Sequence, residues 1–138
     1  MGLPELDHIG IAVGALEEVR AFYEAMGLQV SGTEEVAEQG VRVAFLPVEG
    51  TRLELLEATT QGSPIARHVE RRGPGLHHLC FRVDDIEATM ARLAAAGVRL
   101  LSEQPQPGAH GALVCFVHPR STGGVLVELS QPGDARGA

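Results

Sequence analysis

Two histidines and two glutamates stand in this 138-residue chain where metal or acid–base chemistry could use them: His8, Glu54, His78 and Glu128. His8 lies in the apolar stretch Leu6-Asp7-His8-Ile9-Gly10-Ile11-Ala12-Val13, and His78 in Gly75-Leu76-His77-His78-Leu79-Cys80-Phe81, 70 positions later. Glu54 interrupts Leu53-Leu55-Leu56, and Glu128 interrupts Val125-Leu126-Val127-Leu129. A carboxylate set into an apolar strand is expensive to desolvate unless it is paired or bound to a metal. Side chains alternate along a strand, so Glu54 opposes Leu53 and Leu55, Glu128 opposes Val127 and Leu129, and His8 opposes Ile9. Gly10 and Ala12 continue the His8 face, and small residues there leave room for something to bind.

Two imidazoles and two carboxylates suit a divalent ion such as zinc, nickel, cobalt, manganese or iron. A structural zinc site would call for thiolates, which this set lacks. Four protein ligands on an octahedral ion leave two positions for water or substrate. The alternative is two satisfied strand histidines and two edge-strand glutamates facing solvent. Recurrence of the pair at matching positions favours the metal.

The elements that must position these residues occur twice. A strand over 6–13 leads into an amphipathic helix marked by Leu16, Val19, Tyr23 and Met26 and ended by Gly27. Strands follow over 28–36, 40–48 and 51–58, the last two joined by a Glu49-Gly50 hairpin turn. A short linking helix is expected within 63–73, with Ser63 as N-cap and Pro64 at its first position. The order then repeats: a strand over 76–83, a helix carrying Ile86, Met90 and Leu93 and ended by Gly97, and strands over 98–102, 112–118 and 124–130. Asp84-x-x-Glu87 reads as a capping box for this second helix.

At an offset of 70, Val13 meets Val83, Leu16 meets Ile86, Glu17 meets Glu87, Gly27 meets Gly97 and Val30 meets Leu100. At 71, Phe45 meets Phe116, and at 74, Leu53-Glu54-Leu55 meets Val127-Glu128-Leu129. The fold class expected is α+β, one domain over 1–131 built of two βαβββ repeats (5–58 and 75–131), with a frayed, disordered tail over 132–138. Two such units set side by side can enclose a cleft.

Composition narrows the function. A net charge of -7 argues against nucleic-acid binding. No apolar run reaches the roughly 20 residues of a membrane span, and the N-terminus lacks a signal-peptide pattern. The expected setting is therefore the cytoplasm, away from any membrane. Two cysteines, Cys80 and Cys115, are too few for a disulfide framework and read as small buried side chains. Edge strands of paired units lead us to expect a homodimer.

Longer stretches carry a resemblance: Asp7-His8-Ile9-Gly10-Ile11-Ala12-Val13, Leu53-Glu54-Leu55-Leu56-Glu57, Ser63-Pro64-Ile65-Ala66-Arg67, Gly75-Leu76-His77-His78, Val83-Asp84-Asp85-Ile86, and His118-Pro119-Arg120-Ser121-Thr122-Gly123-Gly124-Val125-Leu126-Val127-Glu128-Leu129. On these the chain resembles the vicinal oxygen chelate superfamily of glyoxalase I, extradiol dioxygenases and bleomycin-resistance proteins. Within it, the chain is most similar to the methylmalonyl-CoA epimerase family, over nearly its whole length. The resemblance implies a glyoxalase-like fold with a central metal cleft. It also implies interconversion of the 2R and 2S epimers of methylmalonyl-CoA through a metal-stabilised enolate. Metal ligands carry over onto His8, Glu54, His78 and Glu128, with glutamine in place of Glu54 in some members. Cobalt is the implied ion, with Mn2+, Ni2+, Zn2+ or Mg2+ as alternatives. His77 is not a carried-over ligand, and alternation turns it away from His78.

Epimerisation needs a base on one face of carbon 2 and an acid on the other. Some family members have a glutamate where Val43 follows Gln39-Gly40-Val41-Arg42, and valine transfers no proton. Glu128 is therefore the expected base and Glu54 the candidate for the second catalytic group. Arg120 and Ser121 are the expected contacts to coenzyme A phosphates. Arg67, Arg71 and Arg72 form either a second basic cluster or a solvated helix face. The alternative functions are a glyoxalase I-type lactoylglutathione lyase and a metal-free small-molecule-binding protein of the same fold.

Overall fold

Apolar alternation and glycine-ended helices build the same order of elements twice in the computed structural model, which describes residues 2–133. The part of the expected disordered tail from 134 to 138 lies outside the described residues. Contacts divide the chain into two units, one of His8–His77 and the other comprising the remaining described residues.

The first unit takes in most of β1 (Glu5–Val13), then α1 (Leu16–Ala25), β2 (Gly32–Val36), β3 (Val41–Val48), β4 (Thr51–Ala58) and the linking helix α2 (Pro64–Arg72). Its strands lie in the order β2-β3-β4-β1. β1 runs parallel to β4, with Gly10 opposite Glu54, and β3 runs antiparallel to β4, with Phe45 opposite Glu54. Each face of this sheet has its own core. Val13, Ala44, Leu46 and Leu55 pack with Leu16, Val19 and Tyr23 of α1. Ala12, Val41, Val43, Phe45 and Leu56 pack with Ile65 and Val69 of α2. Leu46 and Leu55 are fully buried, each contributing on the order of 1.5–3 kcal/mol. Ser63 caps α2 as expected, its Oγ accepting from the Ala66 N–H at 3.0 Å.

The second unit contains most of β5 (Gly75–Arg82), then α3 (Ile86–Ala95), the two-residue β6 (Gln106–Pro107), β7 (Leu113–Val117) and β8 (Val127–Gln131), in the order β5-β8-β7-β6. β8 runs parallel to β5 and antiparallel to β7. Val83, Cys115, Val117 and Leu129 form a core with Ile86 and Met90 of α3. Gly27 and Gly97 end α1 and α3 with φ of 108° and 86°, where a side chain would be strained.

Three local expectations are corrected. The strand expected over 28–36 forms only from Gly32, because Leu28 and Val30 pack among the α1 core and the Leu28 N–H turns back to the Tyr23 carbonyl. The matching stretch 98–102 holds a single bridge, Leu100 to Val117, and the short edge strand forms later, at β6. Pro107 has no N–H to extend that ladder. The helix α3 is capped by Asp85, whose Oδ1 accepts from the Ala88 N–H at 3.0 Å, rather than by Asp84. The Asp84 carboxylate instead accepts from the Gly2 N–H at 3.2 Å.

The repeats share a device with no counterpart in simple capping rules. The Leu16 N–H at the start of α1 donates to Oε2 of Glu57, at 3.0 Å, and the Ile86 N–H at the start of α3 donates to Oε1 of Gln131, at 2.9 Å. Each helix N-terminus is thus tied to the strand that carries Glu54 or Glu128. For α1 this tie substitutes for a local cap, since Ala15 at the N-cap position offers none.

Candidate functional site

In the first unit β1 supplies His8 and β4 supplies Glu54, two strands paired directly, so both side chains share one sheet face. Nδ1 of His8 lies 3.2 Å from Oε2 of Glu54. His8 is 6% exposed and Glu54 5%, which rules out a glutamate facing solvent. Arg52 precedes Glu54 by two residues and so falls on the same face. Its Nε donates to that same Oε2 at 2.9 Å, and its Nη2 lies 2.7 Å from it as an ion pair. The guanidinium also sits 5.8 Å from the centre of the Phe45 ring, within cation–π range.

In the second unit β5 supplies His78 and β8 supplies Glu128. Nε2 of His78 lies 3.0 Å from Oε1 of Glu128, with the residues 8% and 9% exposed. Cys80 and Phe116 stand directly opposite Glu128 on either side, as Gly10 and Phe45 stand opposite Glu54. The Phe116 ring meets His78 edge-on, with ring centres 6.0 Å apart.

These pairs fit a divalent ion. Two ligands each about 2.1 Å from an ion and at right angles to one another lie about 3.0 Å apart. The His78–Glu128 separation matches that spacing, whereas the His8–Glu54 contact runs through Oε2, the oxygen that Arg52 also grips, and so leaves Oε1 as the oxygen open to an ion. Nitrogen and oxygen donors of this kind suit cobalt, nickel, manganese or zinc. Both cysteines are buried. Burial pushes the Cys115 thiol up, and Cys115 lies in the α3 core, on the sheet face away from Glu128.

The other expected residues are placed as follows. Val43 is buried among Ala12, Phe45, Leu56 and Ile65, so this position offers an apolar wall and no proton. Arg120 is exposed on a short 3-10 turn, Pro119–Ser121, and its N–H donates to Nδ1 of His118 at 3.0 Å. The Ser121 hydroxyl accepts from the Arg99 N–H, also at 3.0 Å. On α2, Arg67 donates to the Gly62 carbonyl at 2.7 Å, while Arg71 and Arg72 are exposed in the last turn. His77 packs edge-on against His68 of α2, with ring centres 4.7 Å apart.

Arg52 carries no mark in the sequence beyond its place two residues before Glu54 in β4. That spacing alone could have singled it out, as the cationic residue that β4 itself places on the face of the buried carboxylate. The helix ties of Glu57 and Gln131 were equally open to detection, since both stand three residues after the strand glutamate.

Residues 7–116 match the model of the Glyoxalase/Bleomycin resistance protein/Dioxygenase superfamily. The mitochondrial methylmalonyl-CoA epimerase of Homo sapiens is 44% identical over 131 residues, 94% of this chain and 74% of that protein. An ethylmalonyl-CoA/methylmalonyl-CoA epimerase of Cereibacter sphaeroides is 43% identical over 129 residues, 91% of this chain and 96% of that protein. A solved methylmalonyl-CoA epimerase in complex with methylmalonyl-CoA and NH4+ superposes with a TM-score of 0.89 at 38% identity, covering 95% of this chain and 96% of that one. With its repeated fold and its two buried histidine–glutamate pairs, the chain belongs to this glyoxalase and dioxygenase superfamily and, within it, to the methylmalonyl-CoA epimerase family.

Proposed function

We propose that the chain interconverts the 2R and 2S epimers of methylmalonyl-CoA at a metal held by His8, Glu54, His78 and Glu128. The observation that carries this reading is the recurrence of a buried imidazole–carboxylate pair, at 3.2 and 3.0 Å, on equivalent strands of both repeats. The reading requires both repeats to work as one domain over 1–131. A divalent ion there, cobalt by family resemblance, supplies positive charge toward the thioester and carboxylate oxygens that flank carbon 2.

The chain's own groups do the rest. Glu128 takes the proton from carbon 2 on one face, and the bond's electron pair delocalises into the thioester carbonyl. Glu54, carrying a proton on Oε1 before the step, is the candidate that delivers it to the opposite face, since Val43 cannot; Glu128 ends protonated and Glu54 ionised, so the two exchange roles for the reverse reaction. Apolar residues around Glu54, among them Phe45 and Leu56, keep water from competing for the proton. Arg120 and Ser121 lie on the turn that approaches β8 and are the proposed contacts for coenzyme A phosphates. We place the enzyme in the cytoplasm, as a homodimer serving propionate metabolism.

The test couples metal analysis of the purified protein to α-proton exchange on methylmalonyl-CoA in deuterated water. Bound divalent metal and deuterium at carbon 2 are the expected results. Metal-free protein without exchange, even after cobalt is added, would refute the reading.

A further inference from the structure

Glu54 makes its contacts in an uneven way: His8 Nδ1 and the Nε and Nη2 of Arg52 all reach Oε2. A carboxylate that is to serve a metal or a proton needs one oxygen held toward the site and kept from rotating away. We propose that Arg52 is a positioning residue that pins Glu54 through Oε2 and so dedicates Oε1 to the metal site. The proposal rests on the reading of Glu54 as a ligand.

Three observations support this role over that of an ordinary surface ion pair, which is worth little. The Glu54 side chain is only 7% exposed, and the Arg52 side chain 30%, so the contact is largely shielded from water. The nitrogen–oxygen distances of 2.7 and 2.9 Å are those of charge-assisted bonds. Behind the guanidinium, the Phe45 ring limits the directions in which the fork can turn, and Phe45 is itself the strand partner of Glu54. The arginine is therefore held on two sides and can hold the carboxylate in turn. Groups that orient a metal ligand from behind alter metal affinity by about 10- to 100-fold when removed. A lysine at position 52 would keep the charge but has no planar fork to present two N–H groups from one rigid plane.

The test measures Co2+ binding to metal-free protein by isothermal titration and the visible absorption bands of the bound ion. Arg52→Met is expected to weaken Co2+ binding about tenfold or more and to shift the bands, as the ligand oxygen loses its fixed direction. Arg52→Lys is expected to recover only part of the affinity. Should Arg52→Met fail to fold by circular dichroism, Arg52→Gln takes its place with the same expectation. The proposal is overturned if the neutral variant binds Co2+ as tightly as the parent, or more tightly, with unchanged bands. Full recovery by Arg52→Lys would also overturn it, since charge alone would then suffice. Glu54→Ala separates the two levels of the argument: unchanged affinity and bands in that variant would show that Glu54 is no ligand and that the metal-site reading itself is at fault.

Discussion

In the first repeat Glu54 is gripped by Arg52, and the arginine leans on Phe45; in the second, Leu126 occupies the position matching Arg52, and Phe116 meets His78 instead. The backbone framework is otherwise closely matched. A histidine on the first strand faces a glutamate on the last, with a phenylalanine opposite the glutamate in both. The histidine contact differs too, made through Nδ1 in the first pair and Nε2 in the second. Duplication thus supplied two equivalent carboxylates, and one side chain two residues away made them unequal. On our reading Glu54 is anchored to serve mainly as a fixed ligand, and Glu128 has the larger share of the proton transfer.

The largest effect expected from that inequality is catalytic. Glu128→Gln should lower α-proton exchange by about 10^2- to 10^4-fold, the usual weight of a general base. Glu54→Gln should cost clearly less, because an amide oxygen can still ligate. Exchange rates in deuterated water measure both, and equal losses would break the comparison. A smaller effect concerns the helix ties. Glu57→Ala leaves the Leu16 N–H of α1 without its partner where no local cap exists, and should destabilise by about 1–2 kcal/mol. Gln131→Ala should cost about 0.5–1 kcal/mol, because Asp85 still caps α3. Denaturant unfolding separates the two, and identical losses would mean that the local cap adds nothing.

The smallest effect is a pH dependence confined to α2. Burial, with Arg72 nearby, lowers His68 from its usual 6.5. The unfolded chain therefore takes up this proton first as pH falls. The stabilisation is complete above pH 6.5 and is lost as pH drops from there through the lower folded value. A melting temperature that falls between pH 7 and pH 5, and falls less steeply in His68→Gln, is the expected outcome. An unchanged slope in the variant would assign the dependence elsewhere.

Much of this arrangement was legible in the residues themselves. Glycines 27 and 97 announce the ends of α1 and α3, because a left-handed φ is cheap only without a side chain. Ser63-Pro64 marks the start of α2 through chemistry local to four residues. Period-two alternation places each histidine and glutamate on a face, and the repeat matches each histidine to its glutamate. Strand lengths were less legible. Leu28 and Leu100 look like strand residues because they are apolar, but burial under a helix rewards an apolar residue as well as a ladder does. Asp84 and Asp85 are adjacent carboxylates, and only the direction in which the chain enters α3 decides which of them reaches Ala88.

Which residues pair, on which strands and in how many copies could be read from the residues alone, because those follow from short-range periodicity and from internal duplication. Packing in three dimensions is what brings His8 and the Arg52 fork to the same oxygen of Glu54, sets Phe45 behind Arg52, and carries Glu57 and Gln131 to the helix starts. Those are contacts between strands and across turns, set by register and by the rotamers that packing permits. Alternation says which face a side chain takes; it does not say which atom it meets there.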